Sequence, residues 1–399
     1  MEPAPRSLPE GRILAIVAAV QFVNILDFMM VMPLGPDFAR ALQIPTSHIG
    51  YVGGAYTAAA AVTGLLGALF LDRFDRRTAL ALCMLGLVIG TGLGAFARGL
   101  PTLLAARVIA GGFGGPATSI SLSIIADVVP AARRGRAMGL VMTAFSVASV
   151  LGVPAGLELA HRGTWRTPFV AVAAFGLIVT VAAFAALPPM RGHLMHADEP
   201  PTTFGALLGR PSVVVSWSAT ALLSVSAFIL VPNIAAYVQL NLGYPRSRLG
   251  LLYLCGGLAS FFTLRAAGRF VDRRGPTAAC WIASAVVIGT VLGGFVAVPP
   301  WMPVTVLFVL FMTGSSARNV AHSTLTSLVP RADERARFMS VQSAVQHLSS
   351  AVGAFLAAQL LTETPEGSLA GMRTVALSSV ALALLIPPIF GWIERRSHP

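Results

Sequence analysis

The chain contains no lysine; all 28 basic residues are arginine. That absence excludes a Walker A lysine and a Schiff-base lysine, so a phosphate-cradling loop of that type and imine chemistry are both ruled out. Energy for any uphill step must then come from an ion gradient or the substrate's own gradient, unless a partner subunit binds ATP. Charge of either sign is scarce: 11% of 399 residues, against about 25% in soluble domains. Only 16 residues are acidic. The three cysteines, Cys83, Cys255 and Cys280, lie too far apart for a metal-ligand spacing and read as small apolar filler. No metal, no cofactor and no nucleophile–base pair of an enzyme is expected. The pI near 11.1 does not point to nucleic acid, because the arginines are scattered over short loops.

What is present is apolar sequence. Hydrophobic residues make up 55% of the chain, and the mean hydropathy is +0.77. Apolar runs of about 20 residues fall near 13–36, 48–71, 78–97, 101–127, 137–160, 167–187, 212–240, 248–271, 277–297, 301–327, 338–361 and 370–392. Lipid offers backbone groups no water partners, so such spans must be helices. The expected class is an all-α membrane protein with twelve transmembrane helices and the lipid bilayer as its solvent. Outside the spans, 18 arginines fall on one side and 7 on the other, with Arg107, Arg265 and Arg318 inside spans. The positive-inside rule puts the 18 side in the cytoplasm, and with it both termini. The first apolar run is long enough to span and reads as the first helix rather than a cleavable leader.

The same pattern occurs twice, 200 positions apart. Leu42, Pro45, Ser47, Gly50, Asp72 and Arg73 match Leu242, Pro245, Ser247, Gly250, Asp272 and Arg273. Two homologous six-span bundles are therefore expected, 1–187 and 212–399, joined by the proline-rich polar linker 188–211. A duplicated membrane chain of this kind suits a transporter, because two halves rocking about a shared site give alternating access.

After the second span runs Ala68-Leu69-Phe70-Leu71-Asp72-Arg73-Phe74-Asp75-Arg76-Arg77, and after the eighth Gly268-Arg269-Phe270-Val271-Asp272-Arg273-Arg274-Gly275. These resemble the G-x-x-x-D-R-x-G-R-R loop of the major facilitator superfamily. The first copy departs from it, with Ala68 and Asp75 at the glycine positions. A cytoplasmic latch is the expected role. Asp72 can meet the positive start of the eleventh span near Arg337, and Asp272 that of the fifth near Arg136. Arg73 and Arg76 can reach Asp127, and Arg273 repeats Arg73. The fourth span carries Leu103, Arg107, Gly111 and Gly115 at four-residue intervals, which resembles a second motif of that superfamily, found in its proton-driven branches. The fifth carries Gly152, Pro154 and Gly156, similar in shortened form to its antiporter motif; glycine admits a neighbouring helix and proline bends the span. Glu158, close by, reads as wetted at the outer end.

One acid falls in mid-membrane, Asp27, with Asn24 three residues away on the same helical face. A carboxyl buried in lipid is pushed toward its neutral form by desolvation and toward its charged form by a cation, so such a group can bind and release a proton. Asp27 with Arg107 is the expected proton-coupling pair, and intramembrane charge of this kind is costly to keep. Substrate-facing candidates are Asn24, Asn233, Tyr237, Arg318, Asn319, His322 and Gln346. Arg318 and His322 lie one turn apart, and their positions 200 earlier are Thr118 and Leu122. Gln342, His347, Tyr253, Phe261, Met29, Met30 and Met32 are further candidate lining residues.

The resemblance covers nearly the whole chain and is nearest the bacterial drug- and sugar-efflux branch, including members described as arabinose-efflux-like permeases. It implies two six-helix bundles around a central cavity in a bacterial inner membrane. It implies a monomer that exports small amphipathic compounds or sugars in exchange for protons. Uptake or facilitated diffusion of a sugar or metabolite is the second transport reading, and a non-transporting sensor or scaffold a third from another class.

Overall fold

A computed structural model of the chain describes residues 10–70, 73–190, 207–331 and 335–397. The first half runs α1 (Glu10–Val31), α2 (Gly35–Leu42), α3 (Ile49–Phe70), α4 (Arg76–Ala95), α5 (Leu100–Val128), α6 (Ala131–Val147), α7 (Val153–Arg162) and α8 (Thr167–Ala186). The second runs α9 (Pro211–Phe228), α10 (Ile234–Leu240), α11 (Leu249–Arg274), α12 (Pro276–Val291), α13 (Val304–Leu328), α14 (Arg335–Leu360) and α15 (Met372–Ser397). A two-stranded antiparallel hairpin, β1 (Thr362–Glu363) and β2 (Leu369–Ala370), joins the last two helices. Most of the expected linker lies outside the described residues.

Among the described residues, eleven segments are long and apolar enough to cross a membrane. The twelfth expected span, α14, has the length at 26 residues but not the composition, because it carries Gln342, Gln346, Gln359 and His347. It packs between α3 and α9, where Gln342 is buried, while Gln346 and Gln359 are exposed. Three spans expected as single helices are interrupted. The first stops at Val31 and resumes as α2 with Pro36 in its first turn. The fifth passes through a π-helical turn, Ala148–Gly152, before Pro154 in the first turn of α7. The seventh breaks at Phe228 and turns at Pro232 before α10.

Two seams join the halves, and the sequence repeat relates them. In one, α3 lies on α14; in the other α11, the repeat of α3, lies on the π-helical turn and α7. A Cβ at Gly50 would overlap the Ala354 carbonyl, whereas at its repeat Gly250 the nearest atom, the Pro154 carbonyl oxygen, is 3.7 Å away. In the second seam the close approach falls lower, at Gly257, where a Cβ would stand 2.9 Å from the Ser149 carbonyl oxygen. Both seams lie at the helix ends away from the chain termini. There Arg246 Nε sits 2.9 Å from both carboxylate oxygens of Asp37, and Glu363 accepts from the Thr46 N–H at 2.9 Å. Thr46 and Arg246 are repeat-equivalent. The same turn in each half is thus gripped by a carboxylate from the other half.

The departure at Asp75 has a structural reason. Asp75 caps α4, accepting from the Arg77 and Thr78 N–H groups at 2.9 and 3.3 Å, and its second oxygen accepts from Met190 N–H at 3.1 Å. At the repeat position Gly275 the carboxylate comes instead from Glu394 of α15, which accepts from Thr277 N–H at 3.3 Å. Gly275 adopts φ 82° and ψ 161°, a region essentially reserved for glycine. Asp75→Gly should therefore cost only about a few tenths of a kcal/mol as a lost cap, plus the lost bond from Met190 N–H. Gly275→Asp should cost more, through backbone strain and a second carboxylate beside Glu394. Melting curves of the two variants check this; a smaller loss for Gly275→Asp would refute it.

Candidate functional site

A buried polar assembly is built on α1, α3, α4 and α5. Asp27 lies in the last turns of α1, about 6 Å from its end, before the break that leads into α2. Its side chain is 0% exposed and that of Arg107 is 1% exposed. Arg107 Nη1 stands 3.0 Å from each Asp27 carboxylate oxygen. Thr91 of α4 donates its hydroxyl to Asp27 Oδ1 at 2.7 Å. The Arg107 guanidinium carbon is 4.6 Å from the Tyr56 ring centroid, so a cation–π contact adds to the ion pair. The Tyr56 hydroxyl donates to Asn24 Oδ1 at 2.5 Å, and Asn24 Nδ2 donates to the Gly114 carbonyl at 2.7 Å and to Thr118 Oγ1 at 2.8 Å.

Glycine makes this approach possible. A Cβ at Gly111 would collide with the Tyr56 carbonyl, and one at Gly114 would meet the Tyr56 hydroxyl and stand 2.9 Å from Asn24 Oδ1. Gly111 and Gly114 of α5 therefore seat α3 close enough for the tyrosine ring to cover Arg107. Two ions taken out of water repay their desolvation only with good geometry and further favourable contacts; Thr91 supplies a hydrogen bond to Asp27 and the Tyr56 ring the cation–π contact to Arg107. Neither was singled out in the sequence; a hydroxyl facing the same buried interior as a lone acid is the signal that would have found them.

Asn24 was expected to face substrate. Its amide oxygen and nitrogen are instead engaged with Tyr56, Gly114 and Thr118, so it braces the ion pair. The second-half candidates do not join this network. Asn233 is fully buried, and both its side-chain polar atoms lack a partner. Tyr237 stacks 4.8 Å from Phe295 beside an apolar cleft that Phe308 and Phe311 also line. Arg318 is 2% exposed and His322 7%, with His322 Nε2 2.9 Å from Thr220 Oγ1. Asn319 and Gln346 are exposed. Gln342 is buried with its oxygen unpartnered, and Phe261 lies under the Arg265 guanidinium at 3.9 Å.

Of the latch residues, Arg76 Nε is 3.3 Å from Asp127 Oδ2, while Arg73, Asp272 and Arg273 are exposed. Asp72 lies outside the described residues, as do the side chains of Arg136 in α6 and Arg337 in α14. Gly152 makes room for Leu26 of α1, 2.6 Å from a would-be Cβ, while Gly156 has nothing nearer than 3.9 Å. Glu158 pairs with Arg162 one turn on, at 2.6 Å on an exposed face.

A family model described as Major Facilitator Superfamily matches residues 17–354 and again 219–399. A chloramphenicol resistance protein of Streptomyces lividans is 26% identical over 386 residues, covering 96% of this chain and 97% of that one. The inner membrane transport protein YdhP of Escherichia coli is 28% identical over 209 residues, about half of each chain (52% and 53%). Among solved structures, a bacterial homologue of the human lysosomal transporter Spinster, inward-facing and occupied, superposes with a TM-score of 0.76 at 16% identity, over 96% of this chain and 97% of that one. A D-xylose–proton symporter superposes with a TM-score of 0.72 at 16% identity, over 94% and 95%.

Proposed function

The chain belongs to the major facilitator superfamily and is a multi-pass membrane transporter of small molecules, and we propose that it exports amphipathic compounds in exchange for protons. The observation that carries this is the enclosed Asp27–Arg107 pair, an ionisable carboxyl shut away from water inside a transporter. The bundles 1–187 and 212–399 rock about the two seams. With both termini in the cytoplasm of a bacterial inner membrane, the seams and the Asp37–Arg246 and Glu363–Thr46 contacts lie on the outer side. The described arrangement is then closed outward and receptive to a substrate coming from inside. Exposed Asp272 and Arg273 fit a cytoplasmic latch that is released in this state and engages in the other.

Efflux rather than uptake is supported by the similarity to a chloramphenicol resistance protein over 96% of the chain. Proton-driven uptake is the competing reading, because the fold is shared with a D-xylose–proton symporter. A sensor or scaffold would have no use for a buried ion pair. The monomer is the transporting unit.

The two directions separate in proteoliposomes holding a pH-sensitive dye. With chloramphenicol as the first probe, a substrate gradient should drive a proton flux opposite to the substrate flux. Protons moving with the substrate would establish symport, and no proton movement during substrate transport would overturn the coupling.

A further inference from the structure

Among the described residues, the second half buries a cation with no counter-charge. Arg318 is 2% exposed, and its Nε and Nη1 have no hydrogen-bond partner. The second-half spans 212–240, 248–271, 277–297, 301–327, 338–361 and 370–392 contain no Asp or Glu. Of the acids beyond the span ends, Glu394 accepts from Thr277 N–H and Asp272 is exposed, while Asp333 and Glu334 lie outside the described residues. In the first half Asp27 is already taken by Arg107. A guanidinium stays charged in any plausible protein environment, and an unpaired buried charge is strongly unfavourable. His322, one turn along α13, adds a second nitrogen base rather than an acid. Thr220 donates its own hydroxyl to the Ser216 carbonyl at 3.0 Å, so its oxygen accepts from His322 Nε2–H at 2.9 Å. That bond orients the ring beside the arginine.

We propose that Arg318, with His322, forms an oxyanion subsite that takes the carboxylate of an anionic amphipathic substrate. The inference deepens the export reading by naming a substrate class, and rests on it for the word substrate; the binding itself requires no proton coupling. The guanidinium supplies charge-assisted donors that suit a carboxylate. Arg318 lies ten residues from the α13 end at Leu328, about 15 Å, on the side away from the two seams. An anion arriving there meets a group whose desolvation is already complete. The first half has nothing comparable, since Thr118 and Leu122 occupy the repeat positions.

Thermal unfolding of the purified full-length protein in lipid nanodiscs tests this without any gradient. The probes are benzoate, its neutral counterpart benzamide, and chloride at equal concentration. Benzoate should raise the wild-type melting temperature by several degrees and benzamide should not. Arg318→Met should lose the benzoate response, yet melt above the unliganded wild type, because it removes a stranded charge. Arg318→Lys should keep part of the response. An Arg318→Met variant that melts lower would show a paired structural arginine and overturn the proposal. So would a benzoate response that survives the substitution, or a chloride response equal to that of benzoate, which would assign the site to a free inorganic ion. Failure of the proton-flux assay with an intact benzoate response would remove the coupling and leave the subsite standing.

Discussion

Asp27→Asn should abolish accumulation of substrate against a gradient while substrate binding persists. Asparagine keeps the shape and still accepts from Thr91, but it cannot take up or release a proton. It also strands the Arg107 charge in a site 1% exposed. Removing one partner of a buried pair costs about 3–5 kcal/mol, so the variant should also melt earlier. Adding Arg107→Gln withdraws the stranded charge. The double variant should recover much of the stability and none of the uphill transport. That divergence separates a coupling pair from a structural one, for which stability and transport would return together. Continued accumulation by Asp27→Asn would end the assignment.

Reversing one charge at the outer clasp should open the sealed face. Arg246 meets Asp37 through both Nε and Nη2, and the two side chains are 23% and 19% exposed. A charge-assisted hydrogen bond contributes about 1.5–3 kcal/mol, and each 1.4 kcal/mol is about a factor of ten in population. Arg246→Asp places two carboxylates together, so the sealed state should lose about ten- to hundredfold in weight. Asp37→Arg with Arg246→Asp restores opposite charges in reversed order and should restore the seal. Spin labels at the exposed His161 and Glu366, in a background with the native cysteines replaced, would report the distance across this face. A lengthened distance in the single variant that returns in the swap is the expected pattern. If neither variant moves the distance, the seal rests on Gly50 and Gly257 packing alone.

The spans were legible because lipid demands long apolar helices, and the 200-residue repeat announced the two bundles directly. The breaks inside the spans were not. Val31 and Phe228 end helices within apolar runs that continue past them, so hydropathy does not register the turn. α14 tests composition from the other side, since its glutamines lower its hydropathy although Gln342 is buried and Gln346 and Gln359 are exposed. At the site, Asp27 and Arg107 stood out because charge in an early span is rare. Thr91 and Tyr56 did not, because threonine and tyrosine gain a role only where α3 and α4 come within reach of that pair. Asn24 shows the limit of helical spacing: three residues place it on the Asp27 face, but its neighbours on α3 and α5 decide what the amide binds. Asp37 and Arg246 are separated by 209 residues, and no local pattern links them.

The glycines of α5 carry a consequence for how this chain can drift over generations. Position 114 cannot accept even a methyl group while a tyrosine hydroxyl and an asparagine oxygen occupy the space beside it. Conversely, losing Tyr56 would uncover the guanidinium and leave a hole facing Gly114. Each residue was free to vary only before the others settled around it. Descendants must keep the trio whole or replace it in a coordinated sequence of steps, trimming the tyrosine before enlarging the glycine. Single changes at 24, 56 and 114 should therefore be harmful in this background and mild in one already altered at the other two. A relative with alanine at 114 is expected to hold a smaller residue than tyrosine at 56 as well.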